Sequence, residues 1–338
     1  MKIRSVLLAV FLLLGRGGIA QEIEKTDQQL SQVAVADSCN REIEQRYKIN
    51  ENETYIYDRP RLQDLVNKIP KNIINSAKDI VSAPYYPYSI AAVGATAALI
   101  PADPWVIKQS RNIGEELGLS EDHYYKKLGF LKIIPGNVNS AFYFLGNGTT
   151  VILIGGGLAT YGLLNNDYRS LSTSLQLMES LVVTGLFVQP LKRLSGRESP
   201  FVTEAEGRAH SHWTFAPSFK EYGQNTSRYD AMPSGHLTTA MSALVVIAEN
   251  YPEKVWIKPV GYSLLGLLTF EMMQSKVHWV SDYPIALLLG YVTGKNIAKQ
   301  RIIKEGNGLA KKKNILDRVQ FTASSVYDVQ TIGMKLKL

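Results

Sequence analysis

Ala231-Met232-Pro233-Ser234-Gly235-His236 runs directly into an apolar stretch, Leu237 to Ala248. Pro, Ser and Gly ahead of such a stretch are helix-start chemistry: the serine can cap, and the first turn leaves backbone N–H groups without intrahelical partners. Those donors, with the positive end of the helix dipole, make a site for an anion. A histidine in that turn stands beside whatever anion binds, so the stretch points to a phosphate and an acid–base imidazole. An ordinary capped helix with a solvated histidine has the same local pattern. The rest of the chain must decide.

Apolar stretches recur at Tyr88–Ile100, Thr150–Leu164, Leu175–Val188, Leu237–Ala248, Pro259–Met273 and Pro284–Val292. None keeps strand alternation, and each is long enough for a helix, so six main helices are expected. Pro101-Ala-Asp-Pro104 and Asn165-Asn166 read as connections, and Arg193–Met232 as a long polar one. Residues 21–84 are polar, with an amphipathic helix in Arg61–Ile80 interrupted at Pro70. The tail divides into a basic part, Lys295–Arg318, and residues 319–338, whose partial alternation leaves a β-hairpin and a disordered end both open.

Two further segments lie at helix ends. Lys192-Arg193-Leu194-Ser195-Gly196-Arg197-Glu198-Ser199-Pro200 follows the third apolar stretch, where it reads as a basic helix end. His278-Trp279-Val280-Ser281-Asp282 precedes the sixth. If that segment is helical, His278 and Asp282 share a face, and the carboxylate can hold an imidazole N–H.

Taken together and in this order, Lys192, Pro200, Pro-Ser-Gly-His and His-x-x-x-Asp resemble the type 2 phosphatidic acid phosphatase superfamily, which includes bacterial class A acid phosphatases and vanadium haloperoxidases. The family pattern is Lys, six residues, Arg-Pro; then Pro-Ser-Gly-His; then Ser-Arg, five residues, His, three residues, Asp. The resemblance covers residues 85–298 and implies an all-α protein, a six-helix core bundle with a polar N-terminal extension (21–84) and a short C-terminal tail (299–338). It implies a metal-independent phosphatase without a cofactor, acting on a phosphorylated lipid or small phosphate ester. His278 is then the nucleophile, Asp282 its orienting partner, and His236 the acid and base. Lys192, Arg197, Ser234 and Gly235 would bind the phosphate.

This chain departs from the pattern at two arginines: Ser199 and Met272 stand in their places, and Glu271 replaces the serine. Arg197 and Lys276 are the candidates to compensate, although neither restores a bidentate fork. A haloperoxidase-like enzyme holding vanadate and a weakened phosphate- or headgroup-binding protein are the alternatives. His123, His210 and His212 carry no motif.

Lys2 and Arg4, an apolar run from Val6 to Leu14 and Gly18-Ile19-Ala20 read as a signal peptide over residues 1–20, implying export to the periplasm or cell envelope. The apolar stretches fall short of the ~20 residues that cross a bilayer, which favours a domain exported whole and resting on a membrane through its basic tail. An integral protein with six or seven spans is the alternative. The net charge of +7 is spread out and suits anionic substrates or membrane surfaces. It lacks the aromatic–basic interleaving of a nucleic-acid binder. A single cysteine, Cys39, excludes an intramolecular disulfide framework and a multi-cysteine metal site.

Overall fold

The computed structural model describes residues 44–129, 131–306, 319–326 and 329–336. The expected signal peptide and Cys39 lie outside the described residues. The chain begins with antiparallel strands β1 (Glu44–Lys48) and β2 (Glu53–Asp58). Short helix α1 (Gln63–Asn67) and α2 (Ile69–Val81) follow, with Pro70 in the first turn of α2, where its missing N–H costs nothing. Next come α3 (Tyr86–Leu99) and, after one 3-10 turn, α4 (Asp103–Glu116). Pro101-Ala-Asp-Pro104 links α3 to α4 as expected, and its last two residues already form the first turn of α4. A hairpin, β3 (Tyr125–Leu128) and β4 (Leu131–Pro135), leads to α5 (Val138–Phe144) and α6 (Gly148–Leu164).

The remaining long helices are α7 (Tyr168–Ser195), α10 (Gly235–Asn250), α11 (Ile257–Gln274) and α12 (Tyr283–Arg301). Short α8 (Pro200–Ala205) and α9 (Phe219–Gln224) interrupt the long polar connection. All six expected helices are present, each longer than its apolar stretch. Asp167 Oδ1 accepts from the Ser170 amide at the start of α7. At its end Gly196, in the left-handed region at φ 53°, donates its N–H to Lys192 O.

Leu237, Met241 and Val245 of α10 pack with Leu265, Leu268 and Met272 of α11 and Ala286 of α12 in the main core. The approach of α10 to α12 is close because α12 presents glycines. A Cβ at Gly290 would lie 2.6 Å from Thr238 O, and one at Gly294 2.8 Å from Ser242 O. The two ends of the bundle differ. At one end, β5 (Ile303–Gly306) pairs with β2, with Ile56 opposite Ile303, and Tyr55 and Tyr57 pack on Tyr168, Ala298 and Ile302. Glu179, inside α7, is buried against Arg301 Nη2 at 2.8 Å. The polar extension thus clamps the start of α7 to the end of α12. The opposite end gathers the motif segments. In the tail, β6 (Val319–Val326) and β7 (Val329–Leu336) form an antiparallel hairpin, which resolves the two readings of that segment.

The helices also correct the expectation that the apolar stretches are all too short for a bilayer. Tyr86–Glu116, with α3 and α4 end to end, spans 31 residues, and Tyr168–Ser195 spans 28. Both are long and apolar enough to cross a membrane. The pair α5 and α6, bent by 69°, would make a third if it is one broken span.

Candidate active site

The end of α7, the start of α10 and the segment before α12 are tied together through the backbone. Ala231 donates its N–H to Arg197 O at 2.9 Å, and Ser195 Oγ donates to Met232 O at 2.6 Å. The three motif segments, distant in sequence, form one cluster.

At its centre is the start of α10. Ser234 caps the helix, its Oγ accepting from the Leu237 amide at 3.4 Å and facing Met272 Sδ at 3.7 Å. The residue is fully buried. Its hydroxyl is engaged by the cap and the sulfur. The N–H groups of Gly235 and His236 have no partner among the described residues and remain open donors. Lys192 closes on them from α7: a Cβ at Gly235 would stand 3.6 Å from Lys192 Nζ. That ammonium also lies 3.3 Å from Asp230 Oδ2. The pocket's cation is thus partly neutralised before any ligand arrives.

His236 and His278 face each other with ring centroids 6.5 Å apart. Burial, reinforced by the nearby His278, Lys192 and His123, pushes the His236 pKa down to about 3. Without a bound anion beside it, this imidazole is neutral at neutral pH. His278 is buried, and its Nδ1 stands 3.4 Å from Asp282 Oδ2, an ion-pair distance without hydrogen-bond alignment. The proximity expected from sequence is present, but not through a continuous helix. Val280–Asp282 is a 3-10 turn, and Asp282 Oδ2 also accepts the Trp279 amide at 2.8 Å.

Arg197 and Lys276, the candidates to compensate for the missing arginines, are both engaged by carboxylates of this chain. Arg197 is turned inward, almost completely buried, and every guanidinium nitrogen is engaged. Nη1 donates to Asp282 Oδ1 at 2.6 Å and Ser281 Oγ at 2.7 Å, Nη2 to Asp103 Oδ2 at 2.5 Å, and Nε to Ser211 Oγ at 3.1 Å. Trp213 flanks the guanidinium with its ring centroid 4.7 Å away. Arg197, expected as a phosphate ligand, is engaged with Asp282 here. Lys276, in the left-handed region at φ 59°, sends its ammonium to Glu121 Oε2 at 2.8 Å and Glu204 Oε2 at 3.1 Å. It leaves the face it was expected to share with Met272 because α11 has already ended at Gln274.

Sequence reasoning missed several contributors. Asp103, from α4, accepts the Ser281 amide at 3.0 Å and its hydroxyl at 2.6 Å as well as Arg197. Its local signal is an acidic first turn of α4, within the connection Pro101-Ala-Asp-Pro104. Tyr143 lies against His236 with centroids 4.3 Å apart, and His123 stacks on Tyr143 at 4.2 Å. His210 and His212 are exposed, and the described residues contain no group of three His, Cys, Asp or Glu side chains able to hold a metal.

No curated protein and no solved structure matches the chain. A family model described as PAP2 superfamily matches residues 173–302, which run from the first turns of α7 to the end of α12 and include Lys192, Pro-Ser-Gly-His, His278 and Asp282. At the level of the family the match supports phosphatase or haloperoxidase-like activity, and a hydrolase for the phosphatase members. Over these helices, which build the histidine cluster, the chain is similar to the PAP2 superfamily.

Proposed function

We propose that the protein is a phosphatase that hydrolyses a phosphomonoester or pyrophosphate, of a lipid phosphate by preference, through a phosphohistidine. The observation that carries this reading is the facing pair His236 and His278 at the open N-terminus of α10 beside Lys192. In the first step the Nε2 lone pair of His278 attacks phosphorus, and the bond to the leaving oxygen breaks as His236 donates its proton to that oxygen. Asp282 stabilises the positive charge that forms on the His278 ring. In the second step His236 takes a proton from water, the oxygen attacks phosphorus, and the P–N bond breaks to release inorganic phosphate. Lys192 and the amides of Gly235 and His236 stabilise the non-bridging oxygens as their charge grows. Every step uses side chains and amides of this chain. The bound dianion also raises the affinity of His236 for its proton.

With Ser199 and Met272 in place of arginines, and Asp230 beside Lys192, phosphate is held by fewer charges than the family pattern supplies. Tight binding of free anion is therefore disfavoured relative to a substrate held by its other end. A lipid fits that demand. Only 22% of the apolar window in Tyr86–Glu116 is buried, and Tyr88, Ile90, Val93, Leu153, Leu163 and Leu164 are exposed on α3 and α6. Apolar surface of this extent suits a bilayer. The protein is accordingly expected to stay in the membrane pellet through carbonate washing and to need detergent for release; recovery in the aqueous wash would oppose the membrane reading.

The covalent intermediate gives the direct test. His236→Ala incubated with 4-nitrophenyl phosphate should accumulate an acid-labile phosphoryl group on His278, because the good leaving group needs little protonation while the second step lacks its base. Release of nitrophenol with no labelled histidine would reject the two-step scheme.

A further inference from the structure

We propose that Glu271, His123 and Tyr143 form a second carboxylate–imidazole arrangement that positions His236 as the acid for the leaving oxygen, an inference that rests on the phosphatase reading. Glu271 is buried at 1% exposure near the end of α11. Its Oε1 meets His123 Nε2 at 2.5 Å, and its Oε2 has no hydrogen-bond partner. A buried carboxylate served by one partner is costly, so this is a poor device for stability alone. The His123 ring stacks on Tyr143 with an interplanar angle of 25°, and Tyr143 lies on His236 at 40°. Both centroid separations are near van der Waals contact, which places Tyr143 between the two imidazoles.

The support behind His123 is fixed by the chain. Ser120 O accepts from Asn139 and Gln274, Asp122 O accepts from Asn137 Nδ2 at 2.9 Å, and the Tyr124 amide donates to Ser140 Oγ at 2.7 Å. Glu271 therefore closes the last freedom of a ring whose backbone is already held. The arrangement explains the departure from the family pattern at this point. With Met272 packed against the Ser234 hydroxyl, no arginine approaches from α11, and the neighbouring Glu271 turns to His123 instead. The pocket's charge falls, while the orientation of its acid is strengthened. A weakly held phosphate gains most from an acid that needs no search for its proton-transfer angle.

His123, Glu271 and Tyr143 act through His236 and do not touch the substrate, so the test separates positioning from general loosening. An alkyl phosphate needs its leaving oxygen protonated; 4-nitrophenyl phosphate hardly does. His123→Ala should lower kcat on 3-phenylpropyl phosphate by about 30-fold and on 4-nitrophenyl phosphate by less than about three-fold, with KM for both little changed. Tyr143→Leu, which removes the central ring without stranding Glu271, should show the same selectivity. The pair His123→Phe with Glu271→Leu keeps an aromatic face on Tyr143 and removes the buried charge, but leaves nothing to fix the ring; it should unfold near the wild-type temperature and keep the selective loss on the alkyl ester. Equal losses on the two esters, or a loss confined to KM, would overturn the positioning role alone. Wild-type protein that turns over neither ester would overturn the phosphatase reading and this role with it.

Discussion

His278→Ala abolishes turnover, with kcat expected to fall on the order of 10⁴-fold or more on any phosphate ester, as when a nucleophile is removed from a unit that works together. The expectation follows from placement. His278 is buried, its Nδ1 edge is turned to Asp282 at 3.4 Å, and Nε2 has no partner among the described residues. The fold should survive, because no hydrogen bond from the ring holds another element. Thermal unfolding of His278→Ala within a few degrees of wild type, together with silent kinetics on 4-nitrophenyl phosphate, is the expected pair of results. Turnover near the wild-type rate would move the nucleophile elsewhere. Asp282→Asn separates orientation from attack: it should slow the reaction while leaving His278 available for phosphorylation.

Arg197→Ala has the largest effect on stability. Removing the guanidinium strands two buried carboxylates, Asp103 and Asp282, along with the hydroxyls of Ser281 and Ser211. Breaking a buried ion pair by deleting one partner costs about 3–5 kcal/mol, and here one cation serves two anions. Turnover should collapse too, since Asp282 loses the partner that aims it. Arg197→Lys should rescue little, because an ammonium cannot serve Asp103, Asp282 and Ser211 from one fork. Asp103→Asn should be milder, as the amide oxygen can still accept from Arg197 and Ser281. Urea unfolding of the purified protein measures the first effect and steady-state kinetics the second. A variant within about 1 kcal/mol of wild type whose defect lies wholly in KM would restore Arg197 to the phosphate, against the geometry.

The two experiments bear on different parts of the reading. The His278 result tests chemistry carried by the Pro-Ser-Gly-His and His-x-x-x-Asp segments. The Arg197 result tests a network that reaches from α4 through the segment after α7 to the turn before α12. Loss of activity alone would not separate them, since both variants are expected to be inactive. Only Arg197→Ala should also unfold early.

Local patterns in the chain were enough for the helical bundle, while Lys192, His236, His278 and Asp282 became candidates only through the family resemblance that the motifs carry together. Capping residues, apolar stretch lengths and the anion-binding first turn of a helix are properties of neighbouring residues, so they are written locally. The same is true of the departures at Ser199, Glu271 and Met272. What those departures mean was decided by packing. Arg197 and Lys276 are both cationic and close in sequence to lost arginines, yet one turns inward to Asp103 and Asp282 and the other outward to Glu121 and Glu204. A side chain follows the nearest buried charge that needs it, and Asp103 lies 94 residues from Arg197 along the chain. The stack of His123, Tyr143 and His236 is of the same kind. It joins a loop, a short helix and the start of α10, and no spacing within any one of them announces it. Sequence determined which groups could do the chemistry; the close approach of elements far apart in the chain decided which cation holds an anion in place, which ring lies against which, and which donors remain free for a phosphate.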